Sequence, residues 1–142
     1  MDCIKYREGY KYQLAEDYTL LTDIIPVNVT GDPEGVGNDY VWLGKGGMLI
    51  VRRGYAWDGA SGPTVDTLDT MRGSLVHDAL YQLMREEFLS KDYREAADKI
   101  FLEILLADGM LPIRAAAWFV AVRLAAGTAA SPQSVNPILI AP

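Results

Sequence analysis

His77, Asp58 and Asp98 are the residues whose types could do chemistry together. His77 is the only histidine in the chain, and imidazole is the side chain whose charge ordinarily changes between pH 5 and 8. It lies in the stretch GYAWDGASGPTVDTLDTMRGSLVHDALYQLMR, residues 54–85. The first half of that stretch, Trp57-Asp58-Gly59-Ala60-Ser61-Gly62-Pro63, is rich in turn-forming residues and would present a carboxylate and a hydroxyl from a loop. The second half reads as a helix carrying His77, Asp78 and Tyr81. On the helix after it, Asp98 falls about 60° from Phe101, near the apolar stripe, and a buried carboxylate needs a partner or a metal. If His77 and Asp98 meet across the two helices with Asp58 above them, one imidazole joins two or three carboxylates. That set suits either a single divalent metal ion, with His77, Asp58 and Asp98 as ligands, or a His–Asp proton-transfer pair. Ser61, Asp78 and Tyr81 would then be binding residues around it.

Each of these residues also has a plain structural explanation. Asp58 and Ser61 can brace their turn by bonding the local backbone. A lone histidine at the margin of an apolar stripe, beside Gly73, Tyr81 and Met84, is more often a buried, hydrogen-bonded core residue. Asp78 is about 100° further round the helix and need not face the same way. Asp98 could pair with Arg94 one turn earlier. Gly73 costs its helix up to ~1 kcal/mol relative to alanine, so something should pass close to that face; the loop bearing Asp58 is the obvious candidate. Two familiar chemistries are disfavoured. Ser61 lacks the Gly-x-Ser-x-Gly elbow of serine hydrolases, and one histidine without a cysteine pair cannot close a structural zinc site.

The elements that must position these groups fall into two halves. Residues 10–25 alternate and are rich in Tyr, Thr, Leu and Ile, which predicts two strands turning at Ala15-Glu16-Asp17. VNVTGDPEGVGND then reads as an exposed loop. Tyr40–Leu43 and Met48–Val51, around Gly44-Lys45-Gly46-Gly47, form the clearest hairpin. Arg52–Trp57 either continues its second strand or begins a new one. From Thr70 the period becomes helical. A helix over about Met71–Glu87 starts at Asp69 or Thr70, a second is capped by Ser90 and stopped by Gly109, and a third runs from Pro112 to Gly127. The fold expected is α+β: a small antiparallel sheet in the N-terminal half followed by three packed helices. Residues 1–127 make a single domain and 128–142 an extended tail.

Composition narrows the function classes. With 142 residues, half of them hydrophobic, the chain can bury one core. A net charge of −6 argues against a phosphate-backbone binder, so no nucleic acid is expected. One cysteine, Cys3, excludes an intramolecular disulfide. There is no apolar signal segment at the start. The longest apolar run, Ala115–Val122, is too short for a membrane span and is flanked by Arg114 and Arg123. A soluble protein made without export is the expectation.

In order, G-Y-x-W-D-G-A-S-G-P, L-V-H-D-A-L-Y-Q-L-M-R and R-E-A-A-D-K-I-F-L-E-I-L-L-A-D-G-M resemble an uncharacterised domain family of tailed bacteriophages and prophages. The likeness covers roughly residues 45–127. Carried over, its marked polar positions fall on Asp58, Ser61, His77, Asp78, Tyr81 and Asp98. The resemblance implies a phage protein, made in the host cytoplasm and either retained there or built into the virion; it implies no settled reaction. Two functions stay open. One is a hydrolase-like site, metal-assisted or acid–base, acting on cell-wall material or a nucleotide. The other is a non-catalytic phage component, structural (virion- or tail-associated) or host-interacting, whose His/Asp cluster is structural and which contacts other phage proteins or self-assembles through its C-terminal tail.

Overall fold

The computed structural model describes residues 4, 6–8, 12–26, 34–59 and 67–129. The expected architecture holds: antiparallel strands occupy the N-terminal half and three helices follow. The strands form two sheets rather than one. Strands β1 (Tyr6–Glu8), β2 (Tyr12–Leu14) and β7 (Ala56–Trp57) make a three-stranded sheet in the order β1-β2-β7. Strands β3 (Tyr18–Leu21), β4 (Gly35–Gly37), β5 (Val41–Gly44) and β6 (Met48–Val51) make a four-stranded sheet in the order β3-β6-β5-β4.

The predicted β5–β6 hairpin is present, with Val41 opposite Val51 and Leu43 opposite Leu49. All four of those side chains are fully buried, as the two-residue period of a strand requires for one core-facing side. Two local expectations fail. The turn at Ala15–Asp17 does not close a hairpin, because β2 pairs with β1 and β7 while β3 pairs with β6. The turn instead carries the chain from one sheet to the other. Alternation specifies a strand but not its partner. The glycine-rich stretch is not all loop either: Gly35–Gly37 adds an edge strand to β5. Arg52–Trp57 does begin a new strand. Its corner is tied back to β2 by the Leu14 amide bonding the Tyr55 carbonyl and the Gly54 amide bonding the Leu14 carbonyl, both at 2.8 Å.

Helix α1 (Leu68–Arg85) starts three residues earlier than periodicity suggests. Thr67 is its N-cap: the Thr67 amide donates to Thr70 Oγ1 at 3.1 Å, and that hydroxyl donates back to the Thr67 carbonyl at 2.8 Å. Every residue from Thr70 to His77 is buried. α1 is therefore the central helix, covered on nearly all sides, which a one-sided apolar stripe does not announce. A single 3₁₀ turn (Lys91–Tyr93), capped by Ser90 accepting from the Asp92 amide, leads into α2 (Arg94–Ala107). α2 ends as expected at Gly109, whose φ of 94° suits glycine. α3 (Pro112–Ala129) runs two residues past the expected stop.

Polar ties lock the layers together. Arg72 of α1 reaches Asp108 with contacts at 2.7, 3.0 and 3.2 Å and donates to the Tyr18 hydroxyl of β3 at 3.0 Å. Trp57 Nε1 of β7 donates to Ser74 of α1 at 3.0 Å. Arg114 of α3 sits 3.4 Å from Asp69 at the start of α1. No helix among the described residues is long and apolar enough to cross a membrane.

Candidate acid–base site

His77 and Asp98 do meet. Both sit on inward faces of adjacent helices, and the His77 Nε2 to Asp98 Oδ1 distance is 2.7 Å. The Tyr81 hydroxyl donates to the same oxygen at 2.6 Å, and Arg123 donates to Oδ2 at 2.8 Å. Tyr81 reaches it because it lies four residues after His77, one turn along the same face of α1. The Asp98 side chain is completely buried. One carboxylate thus receives donors from α1, by way of His77 and Tyr81, and from α3, while itself standing on α2.

The imidazole is fixed by packing as well as by its bond. Its ring centroid lies 4.1 Å from that of Tyr81 and 5.1 Å from that of Phe101. Gly73 explains how Phe101 comes so near. A Cβ on Gly73 would stand 3.1 Å from the Phe101 ring and 3.2 Å from Leu105, so the absent side chain lets α2 press against α1. Among the described residues the element that passes close to Gly73 is α2; residues 60–66 of the Asp58 loop lie outside them.

Charge and burial set the protonation. Burial alone would lower the His77 pKa, but hydrogen bonding and charge from Asp78 and Asp98 outweigh it and hold the imidazole above its usual range. Burial alone would raise Asp98; the donors His77, Tyr81 and Arg123 win and hold it below the usual carboxylate range. Burial, then the Asp98 carboxylate, push the Tyr81 phenol well up, so it stays a neutral donor. An ionised Asp98 only accepts, so His77 Nε2 carries the proton and, in neutral imidazole, Nδ1 holds the lone pair. Nδ1 lies 4.0 Å from Asp78 Oδ1, and the Asp78 side chain is 35% exposed. Asp78 is raised by its crowded surroundings, with a further push from the charge of Asp58 and opposition from His77 and Arg85. A file of ionisable groups therefore runs outward from buried Asp98 through His77 to Asp78, with exposed Asp58 near its outer end.

His77, Asp78, Tyr81 and Asp98 are brought together as one cluster. Asp58 is exposed and bears on the cluster only as the smallest of the charges that act on Asp78, and Ser61 lies outside the described residues. His77, Asp58 and Asp98 are not gathered into a ligand set: among the described residues, no three His, Cys, Asp or Glu side chains are placed to hold a metal ion. The donor chemistry agrees, since both oxygens of Asp98 are engaged by an imidazole, a phenol and a guanidinium. Arg94 is not the partner of Asp98; its guanidinium donates to the Arg123 carbonyl at 2.9 Å. Arg123 takes that role, and sequence reasoning missed it. The available signal was an arginine inside a helix whose only other charge is Arg114.

Fold and site together define an α+β protein in which three helices, backed by two small antiparallel sheets, converge on a buried His–Asp–Tyr–Arg cluster. The chain belongs to the family described as protein of unknown function (DUF1353), whose model matches residues 36–122. That span holds all but the first residue of β4, then β5 to β7, α1, α2 and most of α3, and it stops one residue short of Arg123. No curated protein and no solved structure gives a match to the chain.

Proposed function

We propose that the cluster is an acid–base site, with His77 as the proton-transferring group, in a hydrolase-like reaction that needs no metal ligated by Asp98. Asp98 and Tyr81 hold the imidazole in one tautomer and orientation; Asp78 stands 4.0 Å from Nδ1 on the outward side. The observation that carries this reading is the asymmetry of the ring: Nε2 is bound to a buried, fully paired carboxylate, whereas Nδ1 faces the partly exposed Asp78. The surroundings move both His77 and Asp78 upward from their ordinary values on the acid side of neutral pH, which favours proton exchange nearer neutrality. Resemblance to tailed-phage domains supports a phage-encoded protein made in the host cytoplasm, with cell-wall fragments or nucleotides as substrates.

A second reading has its own observation. Every oxygen of Asp98 is satisfied by side chains from two other helices, which is also how a purely structural hub is built. In that case the chain is a non-catalytic phage component. The test is turnover of p-nitrophenyl esters, nucleotides and peptidoglycan fragments by the purified chain and by His77→Gln. The acid–base reading expects activity that rises as His77 loses its proton and falls at least ~100-fold in the variant. Equal rates in the two proteins, or no turnover of any substrate, would give the ground to the structural hub.

A further inference from the structure

The junction of the three helices holds more positive charge than its own carboxylates balance. Arg94, the first residue of α2, commits Nη2 to the Arg123 carbonyl of α3 at 2.9 Å. Its Nε–H is buried and meets no acceptor among the described residues. The same guanidinium lies near enough to the Tyr81 phenol to act on it through charge and hydrogen bonding. Arg123 donates from Nη1 to Asp98 at 2.8 Å, and its side chain is 33% exposed. Among the described residues, Asp98 is the one carboxylate bonded to either arginine. Glu95 also acts on Arg123, but it is 61% exposed and pairs with Lys99 at 3.2 Å. Two guanidiniums, joined by a third cation whenever His77 is protonated, thus share a single buried carboxylate.

Native proteins seldom leave a buried N–H without an acceptor, and least often one on a charged group. Water would satisfy the hydrogen bond but not the charge; an anion satisfies both. We propose that Arg94 and Arg123 bind the phosphate group of a ligand where the start of α2 meets α3. A guanidinium carries five N–H donors, and each of these two has committed one nitrogen, so both keep donors for an incoming oxygen. A planar carboxylate fits the fork of a single guanidinium. Two guanidiniums arriving from different helices suit oxygens that point in several directions, as those of a tetrahedral phosphate do. The exposed part of Arg123 is the side from which the ligand enters. A chain of net charge −6 does not gather anions over its whole surface, so the attraction has to be local. The ligand shares Arg123 with Asp98, and Asp98 bonds His77. Binding is therefore felt at the imidazole, whether or not that imidazole is catalytic.

NMR titration of the isotopically labelled full chain tests this, with inorganic phosphate, phenyl phosphate and acetate at constant ionic strength, beside Arg94→Gln. The expected result is a saturable displacement of the Arg94 and Arg123 Nε–H signals by both phosphates, with the His77 ring protons moving in step. Affinity for phosphate should fall about tenfold or more in Arg94→Gln, and acetate should bind the wild-type chain about tenfold or more weakly than phosphate. Tighter binding of phenyl phosphate would make the ligand a phosphate ester and equal binding would make it free phosphate; either supports the site. The absence of a saturable displacement would overturn the proposal, as would an affinity unchanged in Arg94→Gln or matched by acetate. Should the variant fail to fold, the wild-type arginine signals decide alone, and a displacement confined to other residues refutes the site.

Discussion

Replacing Asp98 by asparagine tests the core of the site with the least change of shape. The substitution removes one negative charge from a position with no solvent exposure and leaves three donors, on His77, Tyr81 and Arg123, facing an amide. Removing one partner of a buried ion pair costs about 3–5 kcal/mol. Two features place Asp98→Asn at the lower end. The amide oxygen still accepts from one donor, and the Arg123 side chain, 33% exposed, can turn to water. A loss of about 3 kcal/mol in urea denaturation corresponds to a fall of roughly 10 °C in melting temperature for a chain of this size. Because His77 is the only histidine, its ring protons give an unambiguous NMR titration. With Asp98 neutral, the largest lowering influence on His77, its burial, is opposed only by Asp78 at 4.0 Å. The imidazole pKa should fall below its wild-type value. A stability loss below about 1 kcal/mol, or a His77 pKa within a few tenths of wild type, would refute the argument that this carboxylate governs the site.

The same two proteins fix the pH dependence. His77 has a raised folded-state pKa, so its contribution is complete below the unfolded value of about 6.5 and is lost as pH rises through the folded value. Asp98 has a lowered one, so its contribution is complete above about 3.9 and is lost as pH falls through the folded value. Asp78 is raised and acts against Asp98: its contribution is complete only below about 3.9 and wanes as pH rises. Stability should be greatest between the two unfolded values, roughly pH 4 to 6.5, and decline toward alkaline pH as His77 deprotonates. In Asp98→Asn the maximum should flatten, since both of its limbs depend on this pair.

Two other substitutions probe the scaffold. Gly73→Ala gains up to ~1 kcal/mol of helix propensity but sets a methyl group 3.1–3.2 Å from Phe101 and Leu105, both fully packed; a net loss of about 1–2 kcal/mol in urea denaturation is expected, and a stabilised variant would show that α2 can retreat. Arg72→Ala leaves Asp108 without its bidentate partner and removes the Arg72 hydrogen bond to Tyr18, so a loss of about 2–4 kcal/mol is expected by the same measurement, and a loss under 1 kcal/mol would mean that water replaces the guanidinium.

Local signals carried much of this fold in the sequence. The β5–β6 hairpin, the cap at Ser90, the stop at Gly109 and the three helices all follow from periodicity and turn chemistry. What alternation does not encode is which strand pairs with which, and so the division into two sheets was not legible at Ala15–Asp17. The burial of α1 on nearly every side was equally hidden, because a helix at the centre of a domain need not show a single stripe. In the site, helix position alone sufficed to suggest that His77, Asp98 and Tyr81 converge. The third helix supplies Arg123 from 25 residues beyond Asp98, and no local pattern foretells an ion pair at that separation.

That long-range arginine also bears on how the site works. Asp98 is held below the usual carboxylate range largely by donors, so it stays ionised and never competes with His77 for the proton. A dyad without Arg123 would leave a buried carboxylate whose only positive neighbour is the imidazole, and burial would then favour passing the proton to the carboxylate and neutralising both. Arg123 adds to the hold that His77 and Tyr81 already exert on the ionised state of Asp98. The imidazole can therefore gain or lose its own proton on the Asp78 side without disturbing the bond that orients it. The arrangement of three donors around Asp98, with one ring nitrogen left toward a partly exposed carboxylate, is what the proposed acid–base reading rests on, and the comparison of the chain with His77→Gln is what separates it from a packing role.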